Sequence, residues 1–373
     1  MITDLDPDEN KIFNSTVVIF GGCSYIGSHV SQLFMRHGAK KVMVIDNLSN
    51  IYKRKRFEVL KSKKAECYEL NLDSETDFSL IEELIMQESD INYVLYFSHQ
   101  VGPHASVVDP QSICKEIERF TKTLNLVATL PTVNKFVYES SADVYGENYE
   151  ESVHFSEDRR LCPQTPYASM IASCEHIASS ITGTVGLPTL GLRFFTVYGP
   201  DQRITAEVDE PEYDLCQTAV WIKNAFFNES LVLDCTYKDT WSMCHINDCA
   251  ELVIRACIGS DEVLVLNIGD TYCVSKLETA ELISTLVSSY LKRTAPCNID
   301  VKEISFMQSL ITGEDETDDS DIVSYQQPDL SLMSKYTRYT PQVNLMKGMQ
   351  ETISTCGNIY IGQLKVLEEQ SKK

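Results

Sequence analysis

Residues 17–27 read VVIFGGCSYIG, and this stretch decides the fold. Its four apolar residues predict a buried strand, and the glycine turn after them leads into a helix predicted over residues 28–37. A tight glycine turn between a strand and a helix directs backbone N–H groups and the helix N-terminus at a phosphate group. The stretch therefore predicts a strand–turn–helix unit that binds the pyrophosphate of a dinucleotide.

An acidic residue ends the second predicted strand. Residues 42–45 (VMVI) are followed by Asp46, whose carboxylate can accept hydrogen bonds from both hydroxyls of an adenosine ribose. The same charge disfavours a 2′-phosphate, so the sequence predicts NAD rather than NADP as the cofactor. The turn residues expected to hold it are Gly21, Ser24, Tyr25, Ile26 and Gly27.

The rest of the first half continues to alternate β-rich runs with helical patterns. Further strands are predicted at residues 67–70, 93–97, 135–139 and 187–195. This alternation predicts an α/β fold of βαβ units around a parallel sheet, followed by a smaller lobe after residue 200. In that lobe we expect a strand at residues 230–234 and a helix at 275–291.

The expected division of the chain has three parts. Residues 1–14 are expected to form a flexible acidic tail, and residues 15–200 an NAD-binding Rossmann domain. Residues 201–366 are expected to form the substrate lobe, interleaved with elements that return to the Rossmann sheet. Residues 200–211 are the predicted crossing between lobes, and the acidic run at 314–321 (EDETDDSD) is a predicted solvated loop.

Charge and cysteine usage exclude several classes of function. Fifty-four Asp and Glu against 32 Lys and Arg give a net charge of −22, which disfavours nucleic acid and anionic membranes as partners. The 13 cysteines are scattered, and the spacing of Cys244 and Cys249 is not a zinc-ligand pattern, so no metal site is predicted. Without an apolar span or a signal core, we expect reduced thiols and a cytoplasmic location.

Seven motifs occur in one order along the chain. They are FGGCSYIGSHV, VIDNLSN, YFSHQVG, ESSADVYGE, TPYASMIASCE, LRFFTVYGPDQR and VLNIGD. In this order they resemble the NAD-dependent epimerase/dehydratase family, the extended short-chain dehydrogenases that modify nucleotide sugars. The resemblance implies a doubly wound nucleotide-binding domain with a substrate lobe. It also implies a dimer through two long helices, here near residues 111–130 and 167–181.

The resemblance also assigns roles to particular residues. The family oxidises a sugar carbon transiently, with a Tyr that takes the hydroxyl proton and a Ser or Thr that shares the hydrogen bond; these positions match Tyr167 and Ser141. Asp143 falls where dehydratase and decarboxylase members carry an acid. Asn71, followed by Leu72, falls at the position of an adenine-contacting aspartate.

The sequence departs from the family at the positions that carry chemistry. Ile171 stands where a lysine normally lowers the pKa of the tyrosine, and Ser24 replaces the middle glycine of the turn. Trp241 stands at the position of a diphosphate-binding arginine, and no arginine occurs between Arg293 and Arg338 to supply a second one. Arg203 is left as a candidate substrate contact.

Two functions from different classes follow. The first is a non-catalytic relative that keeps NAD and acts as a regulatory or partner subunit, in a homodimer or a heterodimer with an active relative. The second is an active NAD-dependent 4-epimerase, 4,6-dehydratase or decarboxylase acting on a UDP- or dTDP-sugar. Because the losses concentrate on chemistry and leave the scaffold motifs intact, the sequence favours the first.

Overall fold

The computed structural model describes residues 11–202, 216–233, 237–259, 264–301 and 323–370. The strands are β1 (Thr16–Phe20), β2 (Lys41–Asp46), β3 (Glu66–Glu69), β4 (Ile91–Tyr96), β5 (Lys135–Ser141), β6 (Thr189–Phe194), β7 (Thr196–Tyr198), β8 (Leu231–Leu233), β9 (Thr240–His245), β10 (Val265–Ile268), β11 (Cys273–Ser275), β12 (Ile299–Val301) and β13 (Tyr325–Gln326). The helices are α1 (Tyr25–Arg36), α2 (Ile51–Ser62), α3 (Glu75–Gln87), α4 (Pro103–Val108), α5 (Ser112–Ala128), α6 (Pro166–Val185), α7 (Gln217–Phe227), α8 (Ile246–Ile258), α9 (Lys276–Tyr290), α10 (Ser331–Thr337) and α11 (Leu345–Gln370).

A seven-stranded sheet organises the first lobe. Its strand order is β10-β6-β5-β4-β1-β2-β3, and every neighbouring pair is parallel. The order reverses at β1, which is the switch point where ligands of doubly wound sheets bind beyond the carboxyl ends of the strands. We call the carboxyl ends of β1, β2, β4 and β5 the carboxyl edge. The predicted doubly wound parallel sheet is confirmed.

Both faces of this sheet are covered by helices, which explains why its central strands are rich in apolar residues. On one face, alternate residues such as Val17 and Val137 pack with α1, α8 and α10 in one buried cluster. On the other face, Val18 and Phe136 pack with α3, α5 and α6. Because side chains alternate along a strand, neighbouring residues at the end of β5 face these two different environments.

The second lobe is built around a smaller sheet and its own apolar cluster. Strand β9 pairs with β11, β13 and β7, and β8 pairs with β12. Helices α7, α9 and α11 pack together there around side chains such as Trp221 and Tyr360, which are at most 1% exposed. Elements from the range assigned to this lobe also return to the first one, since α8 packs on α1 and β10 extends the large sheet beyond β6.

Element boundaries differ from the expected ones in a few places. The first helix begins at Tyr25, three residues before the predicted start, because the Ser24 side chain caps it. The predicted flexible tail is wrong for residues 11–14, since Ile12 is 1% exposed in the core and the Asn14 N–H donates to the Gly38 carbonyl at 3.0 Å. The run at 314–321 and most of the predicted crossing at 200–211 lie outside the described residues.

Among the residues that the structure describes, no helix combines the length and the apolar character needed to cross a membrane.

Candidate cofactor and catalytic site

The glycine turn after β1 is closed by backbone contacts that exclude side chains. Gly21 has φ +71°, and a Cβ on it would lie 2.0 Å from the Phe97 carbonyl oxygen. A Cβ on Gly27 would lie 2.4 Å from the Gly21 carbonyl oxygen. Both positions therefore require glycine, the first for its conformation as well as for space. The first-turn N–H groups of Tyr25 and Ile26 have no partner among the described residues, as expected for a turn that fits a pyrophosphate.

Ser24, in place of the middle glycine, acts as the N-cap of α1. Its side-chain oxygen accepts a hydrogen bond from the Gly27 N–H at 3.1 Å. This bond stabilises the helix start, yet it also occupies one of the N–H groups that the turn would otherwise offer to a phosphate. The substitution thus exchanges part of the anion-binding capacity for local stability.

Asp46 holds the turn in place as well as lying where a ribose would bind. Its carboxylate accepts hydrogen bonds from the N–H groups of Cys23 at 3.0 Å and Leu48 at 3.1 Å, and it pairs with Lys53 at 3.2 Å. A carboxylate has about four lone-pair sites, so acceptor capacity remains for a ribose hydroxyl. Asp46 also has a structural role, because it is 3% exposed and joins the turn to β2 and α2.

A second cation, Arg56, lies against the glycine turn, and sequence reasoning did not identify it. Arg56 of α2 donates to the Cys23 carbonyl at 3.3 Å and lies over the Tyr25 ring at 5.6 Å. Burial lowers the pKa of its guanidinium, whereas the negative groups around it raise that pKa. The basic run of residues 53–56 (KRKR) was the available signal for this contact.

Asn71 and Leu72, expected at the adenine end, follow β3. The Asn71 side chain accepts a hydrogen bond from the Asp73 N–H at 3.1 Å, and its own N–H donates to Asp77 at 2.9 Å. Leu72 is 6% exposed and belongs to the apolar cluster beneath α3. Their contact with an adenine stays a prediction.

The structure brings Tyr167 and Ser141 together. Ser141 ends β5 and Tyr167 lies in the first turn of α6, so close that the Ser141 hydroxyl lowers the pKa of the phenol. The α6 start is held by the Thr165 side chain, which accepts from the Ala168 N–H at 3.1 Å, and by Ser106 of α4, which accepts from the Tyr167 N–H at 3.0 Å. The hydroxyl pair that the sequence predicted is therefore in place.

The environment of Tyr167 opposes ionisation of its phenol despite the nearby Ser141 hydroxyl. Burial raises the pKa of Tyr167 well above its ordinary range, and the carboxylates of Glu139, Asp143 and Glu116 raise it further. Ile171, one helical turn later, is 0% exposed and packs in the apolar cluster on the α5–α6 face of the sheet. The position where the family carries a cation is therefore apolar, and the charges that act on the phenol are negative.

Asp143 lies in the same region, in the short 3₁₀ turn Ala142–Tyr145. Its backbone N–H donates to the Ser141 side chain at 3.2 Å. Burial raises the pKa of its carboxyl and Glu147 raises it further, whereas the hydrogen bond with Ser141 lowers it. The Ser141 side chain thus lowers the pKa of both Asp143 and Tyr167.

Sequence reasoning missed a buried charged network beside this pair. The His99 Nδ1 lies 3.2 Å from Glu116, which also pairs with Arg119 at 2.8 Å, and Arg119 pairs in turn with Asp73 at 2.7 Å. His99 and Glu116 lie at the same edge as Glu139, whose pKa they shift in opposite directions. His99 within YFSHQVG, directly after a predicted strand, was the signal for this network.

The candidate substrate residues of the sequence are Trp241 and Arg203. The Trp241 indole donates to the Thr279 hydroxyl at 3.0 Å and meets Trp221 edge-on at 6.0 Å, so it packs into the second lobe. Arg203 lies outside the described residues. Arg193 is committed to Glu175 and to the Tyr145 hydroxyl, which makes it part of the scaffold.

The sheet order, the glycine turn and the acid at the end of β2 together define a dinucleotide-binding α/β protein. Residues 17–269 match the model of the NAD dependent epimerase/dehydratase family, and the chain belongs to that family. The family resemblance inferred from the seven motifs is thereby confirmed, and with it NAD as the cofactor.

Relatives by sequence cover most of the chain. An uncharacterised protein of Methanocaldococcus jannaschii is 28% identical over 342 residues, which span 90% of this chain and 94% of that protein. UDP-glucuronate 4-epimerase 6 of Arabidopsis thaliana is 25% identical over 95% of this chain and 74% of its own length. The chain is thus similar to nucleotide-sugar 4-epimerases at a low level of identity.

Solved structures share the fold. A UDP-glucose 4-epimerase of Thermotoga maritima, solved with UDP-glucose, superposes with a TM-score of 0.75 at 20% identity and covers 92% of this chain and 99% of its own. A UDP-glucuronic acid 4-epimerase of Bacillus cereus, solved with UDP-glucuronic acid and NAD, gives 0.73 at 21% identity, with 92% and 100% covered. At this level of identity the similarity shows the fold alone.

Proposed function

We propose that this chain binds NAD at the carboxyl edge but is a catalytically impaired relative of UDP-sugar 4-epimerases that acts as a regulatory or partner subunit. One observation carries the proposal: the lysine position is Ile171, which is 0% exposed in an apolar cluster. A free tyrosine has a pKa near 10, so a tyrosine base at neutral pH depends on a nearby cation. Tyr167 meets carboxylates there instead.

The cofactor part of the proposal has separate support. Two first-turn N–H groups at Tyr25 and Ile26 have no partner among the described residues, and Asp46 keeps acceptor capacity at the expected ribose position. Bound NAD would supply a hydride acceptor there. The role of the chain is to hold the pyrophosphate by backbone N–H groups and to discriminate against a 2′-phosphate through Asp46.

The alternative function is that of an active UDP-sugar 4-epimerase. The proximity of Ser141 to Tyr167 favours it, because such a pair is what proton removal from a sugar hydroxyl requires. Both functions use the same fold and cofactor, so they differ only in whether Tyr167 can act as a base.

Mass spectrometry of the natively purified protein separates the two functions. We expect NAD without a nucleotide sugar, and a stoichiometric second protein where the chain assembles with an active relative through α5 and α6. A copurified nucleotide sugar together with NAD would favour the active enzyme. Absence of NAD, together with no calorimetric heat at millimolar NAD, would overturn the proposal.

A further inference from the structure

Glu139 is a carboxylate at the carboxyl edge that neither catalysis nor folding explains. It lies two residues before Ser141 on β5, so both side chains leave the same face of the strand about 7 Å apart. That face also carries Val137, Phe97 and Phe194, and the two phenylalanine rings lie 6.3 Å apart. Glu139 is therefore half-buried among apolar groups next to the Tyr167–Ser141 pair.

The Glu139 carboxylate has no direct partner. Among the described residues it accepts no hydrogen bond and forms no ion pair, although buried carboxylates are normally paired. Its electrostatic neighbours come from every element around it: His99 after β4, Glu116 of α5, Lys53 of α2, Tyr167 of α6 and Cys249 of α8. A negative group left unpaired in such a position is suited to a positively charged ligand.

The neighbours of Glu139 also place it along the path of a dinucleotide. Lys53, which pairs with Asp46 at 3.2 Å at the expected ribose end, lowers the pKa of Glu139, and Glu139 raises the pKa of Tyr167 at the expected reacting end. Hydride transfer in this family needs the nicotinamide beside the tyrosine. The nicotinamide of NAD⁺ carries a positive charge, whereas that of NADH is neutral.

We propose that Glu139 makes the cofactor site of this chain selective for NAD⁺ over NADH. The proposal rests on the proposed binding of NAD and names its preferred redox form. With Ile171 in place of a cation, no positive charge on α6 at that position offsets the carboxylate. Binding would then follow the concentration of NAD⁺ rather than that of total cofactor.

Affinity for the two redox forms tests this directly, by calorimetry for NAD⁺ and by fluorescence titration for NADH, on protein freed of copurified nucleotide. We expect NAD⁺ to bind at least about tenfold more tightly, equivalent to about 1.4 kcal/mol. Glu139→Gln, which keeps the shape and removes the charge, should reduce that ratio to near one. Asp46→Asn should weaken both forms equally, and Glu83→Gln on the exposed surface of α3 should change neither.

The pH dependence of NAD⁺ binding to the unmodified protein gives a second readout, with Glu139→Gln as its control. Burial raises the pKa of Glu139, so the free protein holds this proton above the ordinary range for a glutamate. The NAD⁺ affinity should therefore rise with pH as Glu139 ionises, and the ratio of NAD⁺ to NADH affinity should rise with it. In Glu139→Gln the ratio should be flat with pH.

The outcomes are distinguishable from a failure of the proposed function. Equal affinity for the two forms, unchanged by Glu139→Gln and by pH, would overturn the selectivity while leaving NAD binding intact. Tighter binding of NADH would overturn it also. Failure of both forms to bind at millimolar concentration would overturn the proposed function, and the selectivity with it.

Discussion

The carboxylates at the two faces of β5 differ in whether they are paired. On one face, Ser140 and Arg193 both donate to Glu175, and the guanidinium forms two bonds of 2.9 and 2.7 Å. On the other face, the Glu139 carboxylate has no hydrogen bond among the described residues. Glu175 is thus paired within the chain, whereas the unpaired Glu139 carboxylate lies at the carboxyl edge, where we propose that the cofactor binds.

The largest expected effect is on stability, at the face of β5 where Glu175 pairs with Arg193. Arg193→Met should lower the free energy of unfolding by about 3–5 kcal/mol, because it leaves Glu175 buried without its cation. Urea denaturation measures this loss, with the exposed Arg160→Met as a control expected within about 0.5 kcal/mol of the parent protein. A loss below about 1 kcal/mol would mean that the pair is not the scaffold element described here.

The next effect tests whether the lysine position is apolar. Ile171→Lys should cost about 2–4 kcal/mol of stability, because an ammonium ion loses water in an apolar cluster. Ile171→Met, a volume-conserving change, should cost less than about 1.5 kcal/mol in the same denaturation experiment. Equal stability of the two variants would show that position 171 accommodates a cation, and the interpretation of this position as apolar would fail.

The smallest effect concerns the glycine turn. Ser24→Gly should lower stability by only a few tenths of a kcal/mol, because glycine is tolerated at an N-cap. It frees the Gly27 N–H for a phosphate, so NAD affinity should rise about threefold, the value of one modest hydrogen bond. Ser24→Ala is the matched control: it should lose the cap, at about 1 kcal/mol, and keep the Cβ that hinders approach. Lower NAD affinity in Ser24→Gly would contradict this account of the turn.

Much of the fold could be predicted because the order of strand, glycine turn, helix and terminal acid is a local pattern. Six of the seven strands of the large sheet were predicted to within a few residues, since most of them are buried and rich in apolar residues, whereas β10 was not predicted. The Ser141–Tyr167 pair was implied by the family resemblance. Helix α1 was placed too late because a serine N-cap within a glycine turn was not recognised.

Contacts between distant segments account for what the sequence did not reveal. Two ion pairs show this, Asp46 with Lys53 and His99 with Glu116. Each joins two elements whose relative placement is determined only by the fold. Glu139 was within reach of sequence reasoning, because period-two alternation places it on the same face as Ser141. Its lack of a partner, however, depends on every element around it and could not be read from one strand.

Turnover of UDP-sugars by the NAD-loaded protein tests the central claim most directly. The assay follows conversion of UDP-glucose and UDP-glucuronic acid by chromatography, beside Tyr167→Phe as the blank and an active 4-epimerase as the reference. Positioned acid–base catalysis typically contributes about 10²- to 10⁴-fold in rate. We therefore expect conversion at least about a hundredfold slower than the reference and close to the blank. Conversion at the rate of the reference, abolished in Tyr167→Phe, would show that Tyr167 is a competent base and would contradict the account.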